Sequence, residues 1–314
     1  MQPKGGVSAL LSRWRCYFDC AMIGATTAYR STLANFDAAM RARGLLVLMM
    51  RIPITMCHGI NSDGEYPLTM EHLHRLVEIA RELGFNSIDY NQLDAWRQGR
   101  DLPERPIMFD FDHPAKSMRY EVCEVLARCG YTGNLFVNTG WLNQDAEGYG
   151  EKTMTWQELA ELLEVGWHVG AHTVTHPNLS ALVAEDPAGD KLQWELETCD
   201  AEIQRHLGIV PRDFAFTGTS WSSVAEEKVK ARYRFGRLWI VGAHYQADGQ
   251  EIRYADLVGV AGEDEGDGGP PQAARYITRN SDPHRLPSME IQCPLIHDPE
   301  SFRAYLLGAL AVDE

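Results

Sequence analysis

The sequence has little of what membrane-bound and nucleic-acid-binding proteins need. No run approaches the roughly 18 consecutive apolar residues of a membrane-spanning helix. The 29 Lys and Arg residues are outnumbered by 44 Asp and Glu residues, which gives a formal net charge of −15. This negative charge repels phosphate backbones and anionic lipid headgroups. We therefore expect no nucleic-acid partner and no membrane partner, and a ligand that is neutral or cationic.

Paired cysteines and nucleotide-binding motifs are also missing. The seven cysteines include no C-x-x-C pair, which argues against a zinc ribbon, and Cys16 and Cys20 have no second ligand pair beside them. Scattered cysteines, and no clean signal peptide in residues 1–49, are typical of reduced thiols in the cytoplasm, which is the location we expect. No G-x-G-x-x-G follows the early strands, which disfavours a dinucleotide-binding site. The sequence also lacks the P-loop motif G-x-x-x-x-G-K-[ST] and the serine hydrolase motif G-x-S-x-G, which disfavours those two kinds of site.

Two regions differ in character along the chain. Residues 1–49 carry apolar runs broken by charged residues and no motif with recognisable chemistry. We expect them to form an N-terminal extension, helical or disordered, in front of a catalytic domain at residues 50–314. From residue 51 onward, short apolar runs alternate with amphipathic stretches, which is typical of strands that alternate with helices.

This alternation predicts an α/β fold. Strands are predicted at Arg51–Cys57, Ser87–Tyr90, Pro106–Phe111, Asn134–Asn138, Trp167–Ala171, Asp213–Phe216, Arg237–Val241 and Ser288–Cys293. Helices are predicted at Thr69–Leu83, Ser117–Cys129, Thr155–Val165, Asp190–Leu207, Ser222–Arg232 and Pro299–Leu310. Strands separated by helices pair in parallel through right-handed crossovers. The pattern favours a (β/α) barrel over an open sheet.

The residues with recognisable chemistry lie in two strings, Phe109–His113 (FDFDH) and His172–Pro177 (HTVTHP), each at or just past the end of a predicted strand. In a parallel barrel the carboxyl ends of the strands meet at one face, where sites are built. His172 and His176 are four residues apart and can point to one cation if the segment makes a single helical turn. Two imidazoles and one carboxylate leave positions open for water and substrate, which is the catalytic arrangement of a metal site.

Asp110 and Asp112 are two residues apart, so both can address this site. One can bind the metal while the other accepts a proton from water, and the residues alone leave open which does which. Each string is weak by itself, because H-x-x-x-H is common and acids at strand ends often cap the next helix. Together they favour a metal-dependent hydrolase, since a bound metal lowers the pKa of water from near 16 to about 7.

Several segments resemble the polysaccharide deacetylase family, carbohydrate esterase family four, over residues 51 to 310. The strongest resemblance is Thr155–Ser180, which contains GWHVGAHTVTHPNLS. Further similar segments are Pro53–Gly59, Leu102–Phe111, Asn134–Val137, Phe214–Phe216 and Asp282–Ile291. The resemblance implies a distorted (β/α)7-type barrel with parallel strands.

The resemblance also implies roles for the site residues. His172 and His176 correspond to the family's metal ligands, Asp110 to its general base, and Asp112 to its metal-binding acid, moved one place by Phe111. It implies one divalent metal as cofactor, with Zn²⁺ as the default for two imidazoles and one carboxylate. Co²⁺, Ni²⁺ and Mn²⁺ are alternatives.

The sequence departs from the family pattern around this site. Thr217–Trp221 replaces the family's Pro-Tyr-Gly turn, so the usual arginine partner of the base is not evident there, and Ser288 stands where an arginine is common. The family's general-acid histidine has no clear match. The candidates for this catalytic role are His113, which is added beside the metal, and His244, His284 and His297.

We expect the protein to be an N-deacetylase of an acetylated amino sugar or of a small N-acyl metabolite. In this reaction Asp110 accepts a proton from water, a backbone N–H near Thr217 or Gly218 binds the oxyanion, and a histidine protonates the leaving amine. The expected substrate is thus a small molecule or an oligosaccharide. The altered motifs and the expected location favour an alternative substrate, a cyclic amide, imide or formamide. A non-catalytic carbohydrate-binding protein on the same scaffold is a further alternative.

Overall fold

The computed structural model describes residues 50–143 and 153–311, which belong to one compact unit beginning at Met50. The expected extension at residues 1–49, with Cys16 and Cys20, lies outside the described residues. Within the described ranges, no helix is long and apolar enough to cross a membrane. Among the described cysteines, Cys123, Cys129, Cys199 and Cys293 are free thiols.

Short strands and longer helices alternate along the chain. The strands are β1 (Ile52–Cys57), β2 (Asn86–Ser87), β3 (Pro106–Asp112), β4 (Asn134–Val137), β5 (His168–Ala171), β6 (Asp213–Ala215), β7 (Ser220–Trp221), β8 (Phe235–Arg237), β9 (His244–Ala247), β10 (Gln250–Arg253), β11 (Tyr276–Ile277) and β12 (Met289–Glu290). The α-helices are α1 (Met70–Glu82), α2 (Tyr90–Arg97), α3 (Cys123–Arg128), α4 (Trp156–Glu164), α5 (Leu179–Glu185), α6 (Asp190–Leu207), α7 (Ser223–Arg232), α8 (Tyr254–Val258) and α9 (Pro299–Leu310). Single turns of 3₁₀-helix lie at Thr139–Trp141 and Gln272–Ala274.

Eight parallel strands form most of the central sheet. Their order is β1-β3-β4-β5-β6-β8, and β12 pairs with the free side of β1, while β2 pairs with β3 and β11 runs antiparallel to β1. The chain around β12 also bridges to the continuation of β8, through Arg237 to Leu286 and Ile240 to Met289. These bridges link the two ends of the sheet. The expected α/β fold, a distorted (β/α)7-type barrel with parallel strands, is confirmed.

Helix boundaries follow local sequence signals. Thr69 accepts a hydrogen bond from the backbone N–H of His72 at the start of α1, and the predicted capping box of Thr155 and Glu158 starts α4. Such caps satisfy backbone donors that have no partner inside the helix. The apolar face of α1 is buried as its spacing predicts: Leu73, Leu76, Val77, Ile79 and Ala80.

Several predicted boundaries were wrong, among them that of the strand predicted at Ser288–Cys293, which is β12 and ends at Glu290. The strand predicted at Ser87–Tyr90 ends at Ser87, because the side chain of Asp89 accepts the N–H of Gln92 and begins α2 at Tyr90. The strand predicted at Arg237–Val241 is β8, which ends at Arg237. The helix predicted at Ser117–Cys129 begins as a π-helical turn, Met118–Val122, and continues as α3.

Candidate active site

Strand β3 brings the acidic string to the carboxyl end of the sheet. All seven residues of β3 are buried, and the strand lies between β1 and β4. His113 follows with a left-handed backbone (φ 67°) and donates its N–H to the carbonyl of Phe136 at 3.0 Å. Because β3 ends in this turn, the side chains of Asp110, Asp112 and His113 lie at different depths below the rim of the sheet.

Asp110 is the deepest of the three and is fully buried. Tyr90 donates its hydroxyl to Oδ2 at 2.6 Å, and Asn134 donates its amide to Oδ1 at 2.9 Å. Burial raises the pKa of Asp110 to about 6, although the charge of Arg237 and these hydrogen bonds oppose the rise. Both carboxylate oxygens of Asp110 are thus already bound by neutral donors below the site.

Asp112 forms an ion pair with Arg237, which enters the site from the end of β8. The Arg237 guanidinium is fully buried, packs over the ring of Phe136 at 5.0 Å, and binds Asp112 Oδ1 through Nη2. The other carboxylate oxygen, Oδ2, lies 3.7 Å from His172 Nε2. Burial is the largest influence and would raise the pKa of Asp112, but the charges of Arg237, His172 and His58 and the hydrogen bond from Arg237 together outweigh it, so the net pKa is lowered. Asp112 is therefore an ionised carboxylate at neutral pH.

Three histidines converge beside this ion pair. One ring nitrogen each from His113, His172 and His176 lies within 4.8 Å of the other two, and Asp112 is not a member of this group. His113 comes from the end of β3, and the other two come from the loop after β5, on the far side of β4. The ring centroids are 4.9 to 5.4 Å apart.

The protonation of these rings suits a metal. Burial lowers the pKa of His172 to about 3, lowers that of His113 well below its ordinary value, and lowers that of His176. Neutral imidazole is the form that binds metal ions. His172 donates Nδ1–H to the carbonyl of Ala215 at 2.8 Å, and its buried Nε2 has no hydrogen-bond partner among the described residues. This hydrogen bond fixes the tautomer that presents a lone pair to the cluster.

A second wall of the site is formed by His58, Glu290 and Trp239. His58 follows β1, and its ring lies 4.7 Å from the ring of His113 and edge-on to Trp239 at 5.1 Å. Its Nδ1 is 3.6 Å from Glu290 Oε2, which also accepts the Trp239 indole N–H at 2.7 Å. Burial raises the pKa of Glu290 to about 7 and lowers that of His58 to about 4.

Trp141 lies against the histidine cluster from the turn after β4. Its ring is 4.7 Å from that of His113 and 5.6 Å from that of His176. The indole of Trp239 reaches the cluster only through His58. Two aromatic side chains thus border the site on different sides.

The other residues predicted for the site are not members of the histidine cluster. Thr217 is buried and donates its hydroxyl to the carbonyl of Pro177, next to His176, while Gly218 accepts the hydroxyl of Tyr245 at 3.2 Å. Their role in binding the oxyanion stays a prediction. The remaining proton-donor candidates contact other groups: His244 lies near Glu251, His284 lies near the Tyr233 carbonyl, and His297 stacks on His72.

Sequence reasoning missed several side chains of the site, among them Arg237, His58, Glu290, Trp239 and Trp141. Arg237 and Glu290 carried a usable signal, because each is a lone charge inside an apolar string, FGRLWI and SMEIQC. A charged residue in a buried strand needs an opposite charge or several hydrogen bonds. His58 ends an apolar strand in the same way as the two predicted strings. The family's arginine partner of the base is not evident at Thr217–Trp221, and Arg237 at the end of β8 is the arginine that pairs with the two acids.

Comparisons with known proteins agree with this architecture. Residues 99–235 match the family model for polysaccharide deacetylase, and no curated protein matches the chain. The deacetylase PplD of Streptococcus pyogenes, in complex with acetate, has a similar fold, with a TM-score of 0.60 and 15% identity over 82% of this chain and 98% of that chain.

Two further solved structures share the fold. IcaB from Ammonifex degensii has a TM-score of 0.61 and 17% identity over 83% of this chain and 98% of that chain. The BpsB deacetylase domain from Bordetella bronchiseptica has a TM-score of 0.57 and 18% identity over 77% of this chain and 96% of that chain. These deacetylases thus share the fold of this chain, and residues 99–235 match the polysaccharide deacetylase model.

Proposed function

We propose that the protein is a metal-dependent N-deacetylase of an acetylated amino sugar, with the metal held by His113, His172 and His176. The observation that carries the proposal is the convergence of three imidazole nitrogens within 4.8 Å beside the buried carboxylate of Asp112. Three protein ligands with an open fourth position are the arrangement of a catalytic zinc site.

The donor set fits a divalent cation of intermediate softness. Imidazole suits zinc, nickel and cobalt, and the buried Nε2 of His172 has no hydrogen-bond partner among the described residues that would compete. A cation bound there would polarise the acyl carbonyl and lower the pKa of a water ligand toward about 7. Zinc remains the default metal.

We assign the base role to Asp112 and not to Asp110, and the third ligand position to His113 and not to Asp112. The oxygens of Asp110 accept hydrogen bonds from Tyr90 and Asn134, which hold this carboxylate below the histidine cluster. Asp112 directs Oδ2 toward the histidine cluster, and its ion pair with Arg237 keeps the carboxylate ionised. A base must be within reach of the proton that it accepts.

We assign the proton donor to His58, supported by Glu290. The ring of His58 faces that of His113, and its Nδ1 side lies toward Glu290. Because burial favours the neutral forms of both groups, the pair holds a proton on Glu290 near neutral pH. His58 is the member that borders the cluster, and it delivers the proton to the departing nitrogen.

The expected substrate follows from the family and from the aromatic border of the site. Indole rings such as those of Trp141 and Trp239 stack on the apolar faces of sugar rings, and they are large, rigid surfaces for recognition. The structure of PplD contains acetate, the acid that removal of an acetyl group releases. We therefore favour amino sugars over cyclic amides and imides as substrates.

Metal removal and replacement test this function. Chelated protein should release no acetate from N-acetylglucosamine oligomers, and added Zn²⁺ should restore the release. His113→Ala should lose zinc binding in calorimetry, whereas Asp112→Asn should keep zinc and lose turnover by about 10²–10⁴-fold. His244→Ala, an exposed histidine on β9, is the control that should behave as wild type.

The substrate panel should include monomeric N-acetylglucosamine and a cyclic imide. Hydrolysis of the imide alone would replace the amino-sugar proposal with the alternative substrate class. Stoichiometric zinc without turnover on any substrate would favour a binding protein. Full turnover by Asp112→Asn, together with loss in Asp110→Asn, would reverse the assignment of the two acids.

A further inference from the structure

The loop that carries His172 and His176 has an unusual backbone. Thr173 (φ 68°) and His176 (φ 61°) both lie in the left-handed region. This conformation is disfavoured for side chains other than glycine, and most of all for a β-branched residue such as threonine. A loop with two such residues keeps its shape only if its surroundings hold it.

The carbonyl groups of the loop are held from one side by the turn after β4. Asn138 donates its amide to the carbonyl of His172 at 2.5 Å. The N–H groups of Thr139 and Gly140 donate to the carbonyls of Thr173 and Val174 at 3.2 and 3.1 Å. These contacts bind three carbonyl groups of the loop, those of His172, Thr173 and Val174. The N–H and O–H donors of the loop have other partners.

Three donors of the loop converge on Glu195 of α6. Its Oε2 accepts the N–H of Val174 at 2.7 Å and the N–H of Thr175 at 2.9 Å, and its Oε1 accepts the hydroxyl of Thr175. Glu195 is buried, with 6% of its surface exposed, and no Lys or Arg of the described chain forms an ion pair with it. The carboxylate is bound by donors of the loop. Hydrogen bonds to an ionised group such as this are stronger than those between neutral groups.

We infer that Glu195 is a positioning residue for the metal site, an inference that rests on the proposed metal-dependent function. The two N–H groups that it binds lie between His172 and His176 in sequence. By fixing them, Glu195 sets the turn that aims both imidazoles at one point. It contacts neither the metal position nor the reacting atoms. Groups that orient metal ligands from behind typically change metal affinity by about 10–100-fold when they are removed.

Calorimetric titration of chelated protein with Zn²⁺ tests this inference without a substrate. Glu195→Ala removes all three acceptor contacts and should weaken zinc binding by about 10–100-fold. Glu195→Gln keeps an oxygen that can accept both N–H groups, so zinc binding should recover most of the way. Glu195→Asp withdraws the carboxylate by one methylene and should fall between these two variants.

Glu226→Ala is the matched control. Glu226 is also a buried helical glutamate, and it binds Trp221, Lys230 and Arg285 and none of the loop donors. Its replacement should lower the unfolding temperature and leave the Kd for zinc unchanged. Glu195→Ala should lower both the unfolding temperature and the affinity.

Two outcomes overturn the inference. In the first, Glu195→Ala binds zinc with the wild-type Kd while its unfolding temperature falls as in the control. Glu195 would then stabilise the fold without positioning the metal ligands. If Glu195→Ala does not fold, a wild-type Kd in Glu195→Asp leads to the same rejection. If the wild-type chain itself binds no zinc, the proposed function fails first.

Discussion

Replacing Arg237 by methionine tests the buried charges beneath the histidine cluster. Arg237 is fully buried, binds Asp112, and places Nε 3.4 Å from Asp110 Oδ2. Methionine has a similar length and no charge. The replacement therefore leaves two acidic side chains close together in a low-dielectric interior without the cation between them.

The expected loss of stability is large. Removing one partner of a buried ion pair costs about 3–5 kcal/mol, which corresponds to a fall in Tm of roughly 6–10 °C for a domain of this size. The lowered pKa of Asp112 in the folded state gives stability that is present above the unfolded-state value of about 3.9 and is lost as the pH falls through the folded value. The difference between Arg237→Met and wild type should therefore be largest near neutral pH and shrink in acid.

Thermal unfolding of chelated protein, followed by circular dichroism at about pH 7.5 and about pH 4, measures this difference. Acetate release by the zinc-loaded variant should fall by about 10²-fold or more, because a protonated Asp112 cannot accept a proton from water. Arg275→Met is the control. Arg275 is also buried and pairs with Asp267, so its loss should lower Tm and leave turnover unchanged.

A clear result would refute this reasoning. If Arg237→Met unfolds at the wild-type temperature at both pH values and releases acetate at the wild-type rate, the cation neither stabilises the two acids nor keeps Asp112 ionised. If Arg237→Met lowers Tm equally at the two pH values, Arg237 stabilises the fold through packing, and the electrostatic explanation is rejected.

Three further changes probe the groups around this centre. Replacing Gly140 by alanine places a Cβ 2.6 Å from the carbonyl oxygen of Val174, so the histidine loop must shift and zinc should bind more weakly in calorimetry; an unchanged Kd contradicts this. His58→Gln should lower kcat for acetate release by about 10²–10⁴-fold at an unchanged zinc Kd, and a wild-type kcat would reject His58 as the proton donor. Burial raises the pKa of Glu290 from 4.5 to about 7, so its ionisation destabilises the fold as the pH rises through that range. Urea unfolding of chelated Glu290→Gln should therefore show a gain over wild type that grows from about pH 5 to about pH 8, and a constant difference would contradict the burial argument.

The long elements of the fold could be predicted from sequence because their signals are local. The helices Asp190–Leu207 and Pro299–Leu310 have the predicted bounds, since their apolar spacing lies within each segment and Gly208 and Asp298 mark an end of each. Strands of two residues carry no periodicity, so β7 and β11 were missed. The strand predicted at Ser87–Tyr90 failed because the apolar string contains a helix cap, Asp89, that competes with strand pairing.

The site could be predicted in part for a similar reason. The strings FDFDH and HTVTHP marked strand ends that lie at one rim of the sheet, because parallel strands share one carboxyl-terminal face. Which of Asp112 and His113 faces the other histidines depends on the left-handed turn at His113, which the residue types do not determine. Arg237 lies 125 residues from Asp112 in sequence, and no local pattern joins them.

The three histidines belong to the ends of two strands that are not neighbours, since β4 runs between β3 and β5. A cation shared by them would cross-link the ends of these two strands at the rim of the barrel. Ligand binding to the folded state alone adds about 2.7 kcal/mol when the free ligand is a hundredfold above its Kd. Resistance of this enzyme to heat would then vary with the zinc supply of its surroundings, even when no substrate is present.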